Sequence, residues 1–140
     1  MRIEKLMLLM VLLAPLAHAQ EAKPGGPPDK VFRATVNAEG VQVVEIVAGS
    51  YYFDPDRIIV KVNVPVEVRV RKKAGMVPHD ITIDAADAGV RVNEDLATGA
   101  KSVKFTFTKT GEYAFYCGQK PLFLKSHREH GMEGKFQVVQ

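Results

Sequence analysis

Val66-Glu67-Val68-Arg69-Val70-Arg71 and Val103-Lys104-Phe105-Thr106-Phe107-Thr108 alternate apolar and polar side chains with a period of two. In an extended chain successive side chains point to opposite faces, so this pattern marks strands with one buried and one wetted face. Residues 41–47, 57–62, 79–83, 112–116 and 135–139 are further strand candidates. Turn signals separate them at Gly49-Ser50, Asp54-Pro55-Asp56, 63–65, Gly75, Gly99 and 109–111. Short strands so spaced predict an all-β fold, a Greek-key antiparallel β-sandwich of about seven to eight strands. The least regular stretch, 85–100, is alanine-rich and partly acidic, and is expected to hold a short helix or a long loop.

The ends of the chain read differently. Arg2 and Lys5 precede an apolar run over 6–13, which exits through Ala17-His18-Ala19. This is the three-part pattern of a secretory signal peptide, assigned to 1–19. The run is too short for a membrane span, which needs roughly 20 residues. Residues 20–40 begin QEAKPGGPPD and read as a linker or tether, leaving one domain over 41–140. Removing 1–19 leaves 121 residues with 17 basic and 15 acidic side chains. That is enough chain for one core, and its balance does not argue for nucleic acid. The expected location is the periplasm.

Export makes the cysteine count informative. Cys117 is the only cysteine, so it cannot form an internal disulfide, and an unpaired thiol in an oxidising compartment needs burial or a metal. It closes Tyr113-Ala114-Phe115-Tyr116-Cys117, and nine residues later the chain reads His127-Arg128-Glu129-His130-Gly131-Met132-Glu133-Gly134. His79 follows Pro78 about forty residues upstream of the cysteine. Taken singly, each has an ordinary reading: Cys117 as a small buried hydrophobe, His79 as a strand-end histidine bonded to a carbonyl, His127 and His130 as members of a solvated charged turn. Taken together, a thiolate, imidazoles and a thioether are the donor set of a mononuclear copper site, with His₂Cys near a plane and a long axial Met. Zinc accepts Cys and His, but thioether is a poor zinc ligand. A binuclear copper site needs a second cysteine. A carboxylate-ligated variant would recruit Glu129 or Glu133.

At these residues the sequence resembles the cupredoxins, the blue-copper family that includes plastocyanin. The resemblance rests on Phe53-Asp54-Pro55, Val77-Pro78-His79, Gly111-Glu112-Tyr113-Ala114-Phe115-Tyr116-Cys117 and His127 through Met132 to Gly134-Lys135. It implies one bound copper ion held by His79, Cys117, His127 and Met132, with His130 as the rival second imidazole. It also implies a corner role for Tyr113, whose hydroxyl would bond back to the backbone. Asp80 stands where many relatives place Asn, and the loop over 118–126 (GQKPLFLKS) is longer than in plastocyanin-like members.

Two functions follow from the resemblance. The first is a periplasmic type 1 copper protein carrying one electron between redox partners, and the second is Cu(I) handling or delivery, for which Met76 and His130 offer further soft or imidazole donors. No nucleophile-base pair or paired carboxylates point to an enzyme. Pro121-Leu122-Phe123-Leu124, flanked by Lys120 and Lys125, reads either as a docking patch for an acidic redox partner such as a cytochrome or oxidase, or as a cap folded over the end of the sandwich.

Overall fold

The structure is a computed structural model that describes residues 30–140. The signal peptide and residues 20–29 of the tether read from the sequence lie outside these residues. Ten strands form two sheets: β1 (Val31–Arg33), β2 (Gln42–Gly49), β3 (Tyr52–Asp54), β4 (Arg57–Lys61), β5 (Val66–Lys72), β6 (Asp80–Ala85), β7 (Val90–Asp95), β8 (Lys101–Phe105), β9 (Gly111–Tyr116) and β10 (Glu133–Val139). One sheet runs β1-β4-β10-β9-β6-β7 and the other β3-β2-β5-β8. The expected sandwich is present. Its pairing is mixed, because β4 lies parallel to β1 and β10, and β2 lies parallel to β5. A chain that crosses from one sheet to the other between successive strands can bring neighbours together in the same direction.

The alternation that marked the strands is the alternation of burial. Val66, Val68 and Val70 are at most 1% exposed, while Arg69 and Arg71 face solvent. Phe53, Phe107, Phe115 and Phe136 fill the middle of the sandwich with edge-on and tilted ring contacts at 5.1–5.4 Å. Gln42 is the buried polar exception, and it is fully used: its Oε1 accepts from Lys61 N at 2.6 Å and its Nε2 donates to the carbonyls of Lys61 and Val64. One side chain thus ties the start of β2 to the turn between β4 and β5. The Tyr113 hydroxyl donates back to the carbonyls of Lys109 and Thr110 at 3.3 and 3.4 Å, the geometry of a corner tyrosine.

Two sequence readings are incomplete. The stretch 85–100 holds a short helix, the 3-10 turn Ala86–Ala88, but also β7, which pairs antiparallel with β6 along its whole length. Only Val90 and Val92 alternate there before polar residues take over, too short a run to announce a strand. The ordered domain also begins before residue 41: β1 joins the six-stranded sheet and Ala34 lies in the core at 7% exposure. A three-residue edge strand with all side chains exposed carries no periodic signal.

Candidate metal centre

The β9–β10 register positions the cysteine. Phe115 and Cys117 fall on the inward side and are 0% exposed, while Tyr116 pairs with Glu133 at the last rung of the ladder. One step further, Cys117 N–H donates to the Met132 carbonyl at 3.1 Å, so the thiol and the thioether residue face each other where the two strands part. Gly134 permits this close approach. A Cβ there would collide with the Phe115 ring and the Asp56 carbonyl.

A turn built from local hydrogen bonds places His127. Ser126 N–H donates to Glu129 Oε2 at 2.7 Å and Glu129 N–H donates to Ser126 Oγ at 3.2 Å, a reciprocal capping box. The Ser126 backbone N–H first, and its hydroxyl second, hold the Glu129 carboxyl below its ordinary range. The turn closes with Gly131 N–H to the Arg128 carbonyl at 2.8 Å and Met132 N–H to the His127 carbonyl at 3.0 Å. His127 N–H in turn donates to the Gln119 carbonyl at 2.9 Å. Residues 120–126 therefore leave and return at a bonded base, and their number does not disturb the histidine.

His79 comes from the loop ahead of β6. The next residue, Asp80, links the two ligand-bearing segments: its N–H donates to Cys117 Sγ at 3.4 Å, and its Oδ1 accepts from Gly118 N–H at 2.6 Å and from the Thr82 hydroxyl at 3.3 Å. Lys72 steadies the preceding turn by donating to the carbonyls of Gly75 and Val77.

Together these elements bring His79 Nδ1, His127 Nδ1 and Cys117 Sγ into a triangle with sides of 3.2, 3.4 and 3.8 Å. A triangle with those sides has a centre about 2.0 Å from every corner, the length of a metal–imidazole bond and close to that of a metal–thiolate bond. Met132, 0% exposed, is bonded through its backbone to both Cys117 and His127. The residues therefore fit a type 1 copper ion. Among the described residues this is the one cluster of His, Cys, Asp or Glu donors close enough to share a metal.

The electrostatics favour coordination. Burial, with smaller contributions from His127 and Lys72 and against the pull of Asp80, lowers the His79 imidazole to about 4. Burial also lowers His127. Both rings are consequently neutral near pH 7, with lone pairs available. Burial raises the Cys117 thiol against the backbone N–H groups of Asp80 and Gln119, which favour the thiolate. A metal supplies the missing positive charge, and its binding releases the proton.

The remaining sequence candidates fall elsewhere. His130 is exposed and lies on the Tyr51 ring at 4.5 Å, outside the donor triangle. Glu129 is engaged in the capping box, and Glu133 pairs with Arg128 at 3.0 Å. The apolar loop does not fold back over the sandwich: Leu122, Phe123 and Leu124 are 85%, 101% and 63% exposed. Tyr51 was not singled out by sequence reasoning. Held at φ 59° in the turn between β2 and β3, it packs edge-on against His127 at 5.2 Å. No pattern marks that contact, whereas the capping box was missed although Ser126-x-x-Glu129 has its spacing.

Comparisons with known proteins bear on the fold and the family. The chain is similar in structure to the metal-binding domain of the Cu(I)-exporting P-type ATPase CopA of Streptococcus pneumoniae, solved with Cu(I), at 18% identity and a TM-score of 0.59, covering 81% of this chain and 100% of that one. It is similar to the dithionite-reduced auracyanin of Roseiflexus castenholzii at 20% identity and a TM-score of 0.55, covering 70% and 97%. Auracyanin B matches at 18% identity and a TM-score of 0.56, covering 76% and 94%. At these identities the likeness establishes the fold. Comparison with curated protein sequences finds no match. The sequence profile of the cupredoxin-like domain matches residues 5–129, most of the chain. The chain belongs to the cupredoxin-like family, whose members bind copper.

Proposed function

We propose that this chain is a periplasmic type 1 copper protein that carries one electron between redox partners, with His79, Cys117 and His127 as equatorial ligands and Met132 as the axial one. The observation that carries the reading is the donor triangle, whose centre lies at bonding distance from a thiolate and two neutral imidazoles. Copper supplies a one-electron couple. The chain's residues hold the donors fixed: Asp80 and Gly118 tie the two ligand segments together, the capping box sets the His127 turn, and the β9–β10 ladder sets Cys117 against Met132. A donor set held in place from several directions relaxes little between oxidation states. All four side chains are at most 6% exposed, which supports a carrier over an enzyme because the donors are shielded from solvent.

Export rests on the leader read at 1–19. No helix among the described residues is long and apolar enough to cross a membrane. The partner surface is the exposed tip Leu122-Phe123-Leu124, flanked by Lys120 and Lys125, which favours brief contact with an acidic redox protein such as a cytochrome or oxidase. The copper-loaded protein is expected to show an intense thiolate-to-copper absorption and a reversible one-electron wave. A colourless, redox-silent copper complex contradicts the reading.

A second reading, Cu(I) handling, is favoured by Met76, a soft donor that is 100% exposed three residues before His79. Rapid passage of Cu(I) to an acceptor protein, lost in Met76→Ala, supports it. Retention of Cu(I) over hours argues against it.

A further inference from the structure

We propose that Asp80 makes the donor pocket electroneutral around a divalent ion and so raises its affinity for Cu(II) relative to Cu(I). The inference deepens the copper reading above and rests on it. Asp80 is 5% exposed, yet its carboxylate makes no ion pair among the described residues; its partners are the Gly118 N–H and the Thr82 hydroxyl. Lys72, whose charge reaches His79, donates instead to the carbonyls of Gly75 and Val77. A buried carboxylate without a cation is costly, so the compensating charge has to come from somewhere.

The donor triangle is where it comes from. The Asp80 backbone contacts the thiol sulfur directly, and its carboxylate holds the residue after Cys117. A metal held through the Cys117 thiolate and the lone pairs of both imidazoles meets two negative charges, that of the thiolate and that of the Asp80 carboxylate. A divalent ion cancels both, while a monovalent ion leaves one uncompensated in a low-dielectric site. The linking role does not require that charge, because an amide oxygen at this position accepts the same two hydrogen bonds. Charge is therefore what an aspartate adds here.

The test compares the full chain with Asp80→Asn. Co(II), divalent and colour-reporting, is titrated into the metal-free protein, and Cu(I) is measured anaerobically against a Cu(I)-specific chelator. Asp80→Asn is expected to lose at least about tenfold in Co(II) affinity while Cu(I) affinity moves by less than about threefold. The Cu(II)/Cu(I) potential then rises by about 59 mV per tenfold change in the affinity ratio. Thr82→Val, which removes a partner of the carboxylate but keeps its charge, is expected to leave the Co(II)/Cu(I) ratio within about threefold. Equal losses for both ions in Asp80→Asn make Asp80 a geometric link only and overturn the proposal, as does no loss for either. A wild-type chain that binds neither ion removes the copper reading and this inference with it; one that binds both while Asp80→Asn keeps its Co(II) affinity overturns this inference alone.

Discussion

The base and the tip of the segment between Cys117 and Met132 obey different rules. At the base four backbone N–H groups around the donors have partners: His127 on Gln119, Met132 on His127, Cys117 on Met132, Gly118 on Asp80. At the tip, Leu122 and Phe123 stand almost free of the protein, with Phe123 at φ 62°, a backbone region that bulky residues seldom adopt. The difference teaches that ligand geometry depends on where a loop is pinned and not on how long it is. Length is then free to serve a surface.

Substitutions at the two regions should separate accordingly. Cys117→Ser removes the thiolate at the base, and it is expected to abolish the charge-transfer band and weaken copper binding by orders of magnitude while far-UV circular dichroism keeps its β-sheet signature. Acid is the next largest effect. An unfolded histidine titrates near 6.5 and His79 in the fold at about 4, so the unfolded chain takes up the proton first as pH falls. Stability of the metal-free protein is therefore full above about pH 6.5 and declines toward pH 4, by up to about 3 kcal/mol for this group, as denaturant melts across that window can show.

Ser126→Ala dissolves the capping box that fixes the His127 turn, and should cost about 1 kcal/mol in chemical denaturation. His130→Ala, one turn away but outside the triangle, should leave the absorption spectrum unchanged. Phe123→Ser at the tip should move stability by less than about 0.5 kcal/mol while slowing electron exchange with an acidic partner. A tip substitution that unfolds the protein, or a base substitution that leaves the metal site intact, would erase the contrast.

Much of this was legible in the sequence, and the exceptions are instructive. Period-two alternation located β5 and β8 because each turns one face to a single core. It missed β1, which buries no face, and β7, whose alternation ends after two valines. His79, Cys117, His127 and Met132 were readable because donor types and strand ends converge on one chemistry. Which of His127 and His130 lies in the donor triangle needed the turn, since both fall in the same charged run. Tyr51 was unreadable, because a ring contact made from a distant turn leaves no local pattern. The fate of Leu122-Phe123-Leu124 was equally open, since apolar residues in a loop can cap a core or face a partner.

Copper coordination by the donor triangle is tested most directly by X-ray absorption at the copper edge of the loaded protein. Two imidazole nitrogens at about 2.0 Å and one sulfur at about 2.2 Å are predicted, unchanged in His130→Ala and without the sulfur shell in Cys117→Ser. A wild-type spectrum with only nitrogen and oxygen neighbours, or one altered by His130→Ala, would contradict it.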